Sequence, residues 1–169
     1  MAGKEVSGFE NSSADLFKNA SLIITLTQKT DLNAVEIIEK LSYSMGFKKI
    51  VKTTPENHDR IIAYTSQLAH IVSNAYIKSP AALNENGFSA GSFLDLTRVA
   101  LLDEKLWTSL FMLNRENLIS EIEILEKNIS EYKKALINND SVYLEELLKE
   151  GKIKKLENTK LRSCQEKSN

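Results

Sequence analysis

Hydrophobic and polar positions along the chain fall into two regimes that meet at Pro55. Ahead of it, Leu22 to Thr27 (LIITLT) is a β-branched run whose two alternating faces are both apolar or Thr, the pattern of a buried strand. Asp31 or Asn33 can cap a helix through Met45, with Leu32, Val35, Ile38 and Leu41 on one face and Gly46 closing it. Phe47 to Thr53 (FKKIVKT) predicts a second strand. Strand, helix and strand over about thirty residues make a βαβ unit with parallel pairing, whereas a doubly wound sheet needs several more such units. Residues 1–20, rich in Gly, Ser and Asn, read as a loop.

Beyond Pro55 the pattern is helical. Thr54 as cap, Pro55 at the first helical position and Glu56 in the first turn predict a helix that runs to about Lys78, where Ser79 and Pro80 stop it. From Ile61 to Ile77 there is no Asp, Glu, Lys or Arg, yet Ser66, Gln67, His70, Ser73 and Asn74 interrupt the apolar residues. At ~100° per residue, Asp59, Ser66, His70 and Ser73 fall within roughly 40° of one line. Buried polar groups cost free energy unless they find partners, so this row calls for internal hydrogen bonds or a polar ligand.

Ala81 to Gly91 reads as a loop turning at Asn86-Gly87, followed by a short helix, Ser92 to Leu102. Asp103 then caps a long amphipathic helix with a seam of Trp107, Phe111, Asn114, Leu118, Ile122, Leu125, Ile129, Tyr132 and Leu136, the spacing of a helix packed along another helix. Asp140 and Ser141 open a last helix with Leu144, Leu147 and Leu148 on its face and Gly151 after it. The remainder reads as a charged, frayed tail.

Composition narrows the classes. A chain of 169 residues that is 42% hydrophobic can bury the core of one domain, or of a domain plus part of another. A net charge of −1 provides no field for nucleic acid or an anionic membrane, and the uncharged run is too polar for a lipid-facing span. The single cysteine, Cys164, can build neither a disulfide nor a Cys-based metal site within one chain. A reducing, cytoplasmic setting and no export signal are therefore expected. His58 and His70 lie ~18 Å apart along a helix axis, so no metal site is expected. Ser66, His70 and Asp59 on one helix lack the nucleophile elbow and oxyanion hole of a hydrolase, and core residues satisfied by neighbouring helices are the plainer reading.

The opening MAGKEVSG, the helix HDRIIAYTSQLAH, the later FLDLTRVA and the helix carrying Trp107 and Asn114 together resemble the prephenate dehydrogenases of tyrosine biosynthesis, in the family's order and over roughly residues 1–140. The resemblance implies a mainly α fold: a helical dimerisation domain, similar to the C-terminal domain of 6-phosphogluconate dehydrogenase, preceded by a βαβ remnant of a Rossmann-like dinucleotide-binding domain. It implies NAD-dependent oxidative decarboxylation of prephenate to 4-hydroxyphenylpyruvate by a homodimer. The family's motif with the catalytic histidine is represented by Met1, Ala2 and Gly3, which places that histidine ahead of Met1. Glu5 corresponds to an acid near the mouth of the site. Ser66 and His70 match the family's Ser-x-x-x-His helix facing the substrate, Arg98 matches the arginine that binds a prephenate carboxylate, and Gln67 stands where many relatives have another histidine. An arginine suits that task because its guanidinium grips a carboxylate through two bonds.

The departures are equally informative. The glycines at 3, 8, 46, 87, 91 and 151 never give G-x-G-x-x-G, so the pyrophosphate of NAD has no expected cradle and the chain alone is expected not to catalyse. The division expected is 1–54 as a remnant of the dinucleotide-binding domain, 55–150 as the substrate-binding and dimerisation domain and 151–169 as a tail. A non-enzymatic helical dimerisation module derived from the same family is the rival expectation.

Overall fold

The computed structural model of the chain describes residues 8–167, with side chains through Ser163; Met1, Ala2, Gly3 and Glu5 lie outside the described residues. The chain divides into two compact units, one ending at Glu121 and one beginning at Ile122.

The first unit opens with a two-stranded parallel sheet, β1 (Ser21–Thr25) and β2 (Lys49–Thr53), in register from Ser21 opposite Lys49 to Thr25 opposite Thr53. α1 (Leu32–Ser44) crosses between them as parallel pairing requires. Asp31 caps it, its carboxylate accepting from the Asn33 N–H at 2.8 Å, and Gly46 at φ 93° supplies the left-handed residue that ends it. The predicted apolar face of α1 is only partly covered: Val35 is buried, while Leu32, Ile38 and Leu41 are exposed. Two strands are too narrow to cover a helix whose apolar residues span a wide stripe.

Helices follow from Pro55. α2 (Pro55–Ile62) starts where the sequence predicts, with Thr54 Oγ1 accepting from the Asn57 N–H at 3.2 Å. The expected single helix to Lys78 is interrupted: Ala63–Leu68 forms a π turn, and α3 (Ala69–Tyr76) resumes after it. One extra residue in a helical turn rotates everything beyond it by about 100°. Asp59 therefore leaves the line shared by His70 and Ser73. Ala63, Gln67, Leu68 and Ser73 are the buried positions of this segment. After a loop come α4 (Gly91–Thr97), shorter than expected, and α5 (Glu104–Leu113), capped by Asp103.

The long helix expected from Asp103 is two helices. Asn114, at φ −119° and ψ 26°, leaves helical geometry, and α6 (Arg115–Ile137) begins behind it. Of the predicted seam, Leu118 is buried, whereas Ile129 and Leu136 are exposed.

In the second unit, α6 turns back at Asn139, a left-handed residue, into α7 (Ser141–Lys167). Asp140 caps α7 through the Tyr143 N–H at 2.9 Å. The expected stop at Gly151 does not occur: its backbone is not left-handed, and the expected tail is helical through Lys167. Tyr143 donates its phenol to Glu131 at 2.6 Å. That bond first, then desolvation and the neighbouring Glu131, Glu146 and Glu150 carboxylates, raise its pKa above the ordinary 10.0. A folded value above the unfolded one means that the contribution is complete below about pH 10 and is lost as pH rises through the folded value. Tyr143→Phe is expected to flatten the alkaline loss of helical circular dichroism, and an unchanged alkaline melting curve would contradict this role.

Candidate functional site

The π turn is where the polar residues of the first unit converge. At the end of α5, the Asn114 N–H bonds to Phe111 O at 3.3 Å, so the Leu110 carbonyl is one of the orphaned acceptors of a helix C-terminus. Gln67 Nε2 donates to it at 3.2 Å. The Asn114 amide in turn donates to the Asp59 carbonyl at 2.8 Å and to Gln67 Oε1 at 2.9 Å, while its own oxygen accepts from Asn117 Nδ2 at 2.8 Å. The buried Gln67 carboxamide is thus satisfied on both ends, as a low-dielectric setting demands.

One turn beyond Gln67 stands His70, half-buried. Its Nδ1 lies 2.8 Å from the Ser66 carbonyl. A carbonyl only accepts, so Nδ1 carries the proton and Nε2 is the ring nitrogen left for another group. The imidazole stacks on Trp107 of α5, with ring centroids 3.7 Å apart and planes 28° from parallel, and Trp107 in turn meets Phe111 at 5.4 Å. Both the tautomer and the ring plane of His70 are therefore set by neighbours.

Of the residues singled out from the sequence, Ser66 and His70 come together, through the Ser66 carbonyl rather than its hydroxyl. The hydrolase triad is not assembled, because Asp59 Oδ1 pairs with His58 Nδ1 at 2.8 Å. Arg98 is exposed and caps the C-terminus of α4, which packs on α3. Asn74 Nδ2 donates to Ala100 O at 3.2 Å and so ties the turn behind Arg98 to α3, one helical turn beyond His70. Glu5 lies outside the described residues.

Three contributors are not legible as site residues from spacing: Trp107 and Asn114 fall in a packing seam, and Gln67 has no role that the pattern assigns. An asparagine inside that seam and an amide inside an uncharged helix were the signals available. The Ser73 hydroxyl is fully buried and makes no hydrogen bond. A cavity of about 720 Å³ lies among Tyr76, Ser79, Glu85, Phe88 and Phe93 and includes none of Ser66, His70 and Arg98.

The described residues do not fit a dinucleotide. The turn from β1 into α1 contains no glycine, and the Asp31 carboxylate already occupies the helix N-terminus where a pyrophosphate would seek N–H donors. Among the described residues, no group of three or more His, Cys, Asp or Glu side chains is placed to hold a metal, and no helix is long and apolar enough to cross a membrane.

The family model described as the prephenate dehydrogenase dimerization domain matches residues 54–150. Cyclohexadienyl dehydrogenase of Zymomonas mobilis is 28% identical over 162 residues, an alignment covering 92% of this chain and 55% of that protein. Prephenate dehydrogenase of Bacillus subtilis is 31% identical over 129 residues, covering 73% of this chain and 34% of that protein. Among solved structures, prephenate dehydrogenase from Aquifex aeolicus in complex with hydroxyphenyl propionate and NAD+ superposes with a TM-score of 0.79 at 32% identity, over 93% of this chain and 56% of that one. The arogenate dehydrogenase of Synechocystis, at 24% identity and a TM-score of 0.73, shares the fold. The chain spans between about a third and just over half the length of these curated relatives.

Proposed function

Since the chain belongs to the prephenate dehydrogenase family and carries its dimerization domain, we propose that it binds prephenate at His70 and Arg98 and dimerises through its helices. The observation that carries this reading is the His70 arrangement: Nδ1 is held by the Ser66 carbonyl and the ring by Trp107, which leaves Nε2 for a ligand. Prephenate is a dianion, and its site needs donors in a partly dry pocket without an unpaired buried charge. The Ser66 hydroxyl supplies a donor without a fixed charge, His70 Nε2, unprotonated in this tautomer, is an acceptor for the substrate's hydroxyl, and Arg98 supplies one guanidinium for a carboxylate.

Calorimetric titration of the chain with prephenate tests this. A saturable isotherm that weakens in His70→Leu supports the reading, and no heat of binding at millimolar prephenate overturns it in favour of a helical dimerisation module without a ligand.

The surface for a second copy is proposed on α5, where Leu106, Leu110 and Leu113 form an exposed i, i+4, i+7 row. Homodimers of this kind are closed, with the same patch used twice. Sedimentation is expected to give a dimer for the chain and a monomer for the double variant Leu110→Glu, Leu113→Glu. A variant that stays dimeric would move the interface elsewhere.

A further inference from the structure

The geometry points to Gln67 and Asn114 as positioning residues, a two-amide clasp that holds the π turn in register and thereby fixes the tautomer and ring plane of His70. The inference deepens the substrate-site reading and takes its functional meaning from it, but it stands on contacts that need no ligand.

A π turn is a local excess of one residue, and such turns persist where neighbouring contacts hold them. Relaxation of Ala63–Leu68 to α geometry would rotate α3 by about 100° relative to α2 and carry His70 off Trp107. The clasp opposes this at three points. Asn114 grips the Asp59 carbonyl ahead of the π turn and Gln67 inside it, with one amide group. Gln67 grips the Leu110 carbonyl of α5. Trp107 sits three residues before Leu110 on that same helix. The helix that bears the imidazole and the helix that bears its stacking partner are therefore locked to each other by the same two side chains, 6% exposed at Gln67.

The Ser66 carbonyl that defines the His70 tautomer is itself within the π turn, so its direction follows that turn's register. A histidine at position 67 would test the same pairing from a different side chain. An imidazole has one donor and one acceptor nitrogen in its neutral form, and these can serve the Leu110 carbonyl and the Asn114 amide in turn.

The test uses the full chain with ¹⁵N-labelled histidine. There are two histidines, so His58 serves as the internal reference. The unsubstituted chain is expected to show His70 as the Nδ1–H tautomer with ring protons displaced upfield by Trp107. In Gln67→Leu and in Asn114→Leu, the His70 nitrogens are expected to move to tautomer-averaged positions and the upfield displacement by Trp107 to be lost, His58 being unchanged.

Gln67→His is expected to restore both signatures. A folded leucine variant that keeps the Nδ1–H signature and the upfield displacement overturns the inference. If both leucine variants unfold, Gln67→Glu and Asn114→Asp, which remove donors while keeping shape, are read in the same way, and retention of the signatures overturns it again. Because no ligand is present, failure of prephenate to bind leaves these spectra interpretable: the substrate reading would fall and the clasp would stand, or the reverse.

Discussion

No NADH is expected to accumulate when the chain is incubated with prephenate and NAD. Hydride transfer needs the nicotinamide held beside the substrate, and the family fold does this by placing the pyrophosphate on a glycine-lined turn at a helix N-terminus. Here neither described turn from a parallel strand into a helix, Leu26 to Asp31 after β1 or Thr54 after β2, has a glycine; the first helix N-terminus is capped by a carboxylate and the second by a threonine hydroxyl. Bringing a pyrophosphate to Asp31 would set negative charge against negative charge and displace a bond that the cap already makes. The effect is therefore a loss of the reaction rather than a reduction in rate. Absorbance of NADH followed at saturating prephenate is the measurement, and turnover above the protein-free blank would overturn this expectation.

Arg98→Ala is expected to weaken prephenate binding by about 10- to 100-fold, the range that loss of a charge-assisted hydrogen bond of ~1.5–3 kcal/mol allows. Its position supports that size of effect in a specific way. Arg98 follows α4 directly, and the turn behind it is tethered to α3 by the Asn74 amide, one turn from His70. A guanidinium on a tethered turn gives up less freedom on binding than one on a free loop. Its exposure works in the opposite direction, because solvent screens the charge and keeps the expectation at the lower half of the range. Arg98→Lys separates the charge from the paired geometry: partial recovery points to charge, and none points to a two-bond grip. Equal affinity of Arg98→Ala and the unsubstituted chain would remove Arg98 from the site.

Local chemistry made much of the fold readable. Asp31 and Gly46 bracket α1, Thr54 and Pro55 open α2, and the strand pair falls within two residues of its apolar runs. The failures share a physical cause: each depends on a partner distant in sequence. Ala63 to Leu68 has an ordinary helical composition, and the extra residue in its turn is imposed by Asn114, 47 positions from Gln67. The break at Asn114 has no glycine or proline to announce it, and the apolar spacing continues through it. Gly151 carried a stop signal that local context favours, yet α7 continues because nothing turns its backbone left-handed. At the site, periodicity isolated Ser66 and His70 as polar groups needing partners. The Trp107 face that meets His70 could not be read, since a tryptophan in an apolar seam gives the same signal whether it packs or positions.

The narrow sheet of residues 21–53 bears on how any self-association of this chain should be interpreted. Each strand has one neighbour among the described residues, so each leaves a row of backbone donors and acceptors on its other side. Strand edges join without closing: a copy added to one edge presents a fresh edge of its own. Association by this route grows into filaments and turbidity with rising concentration, whereas association through the α5 leucines stops at two. The Leu110, Leu113 double variant thus separates finite from unlimited assembly, and any turbidity that survives it is assigned to the strands.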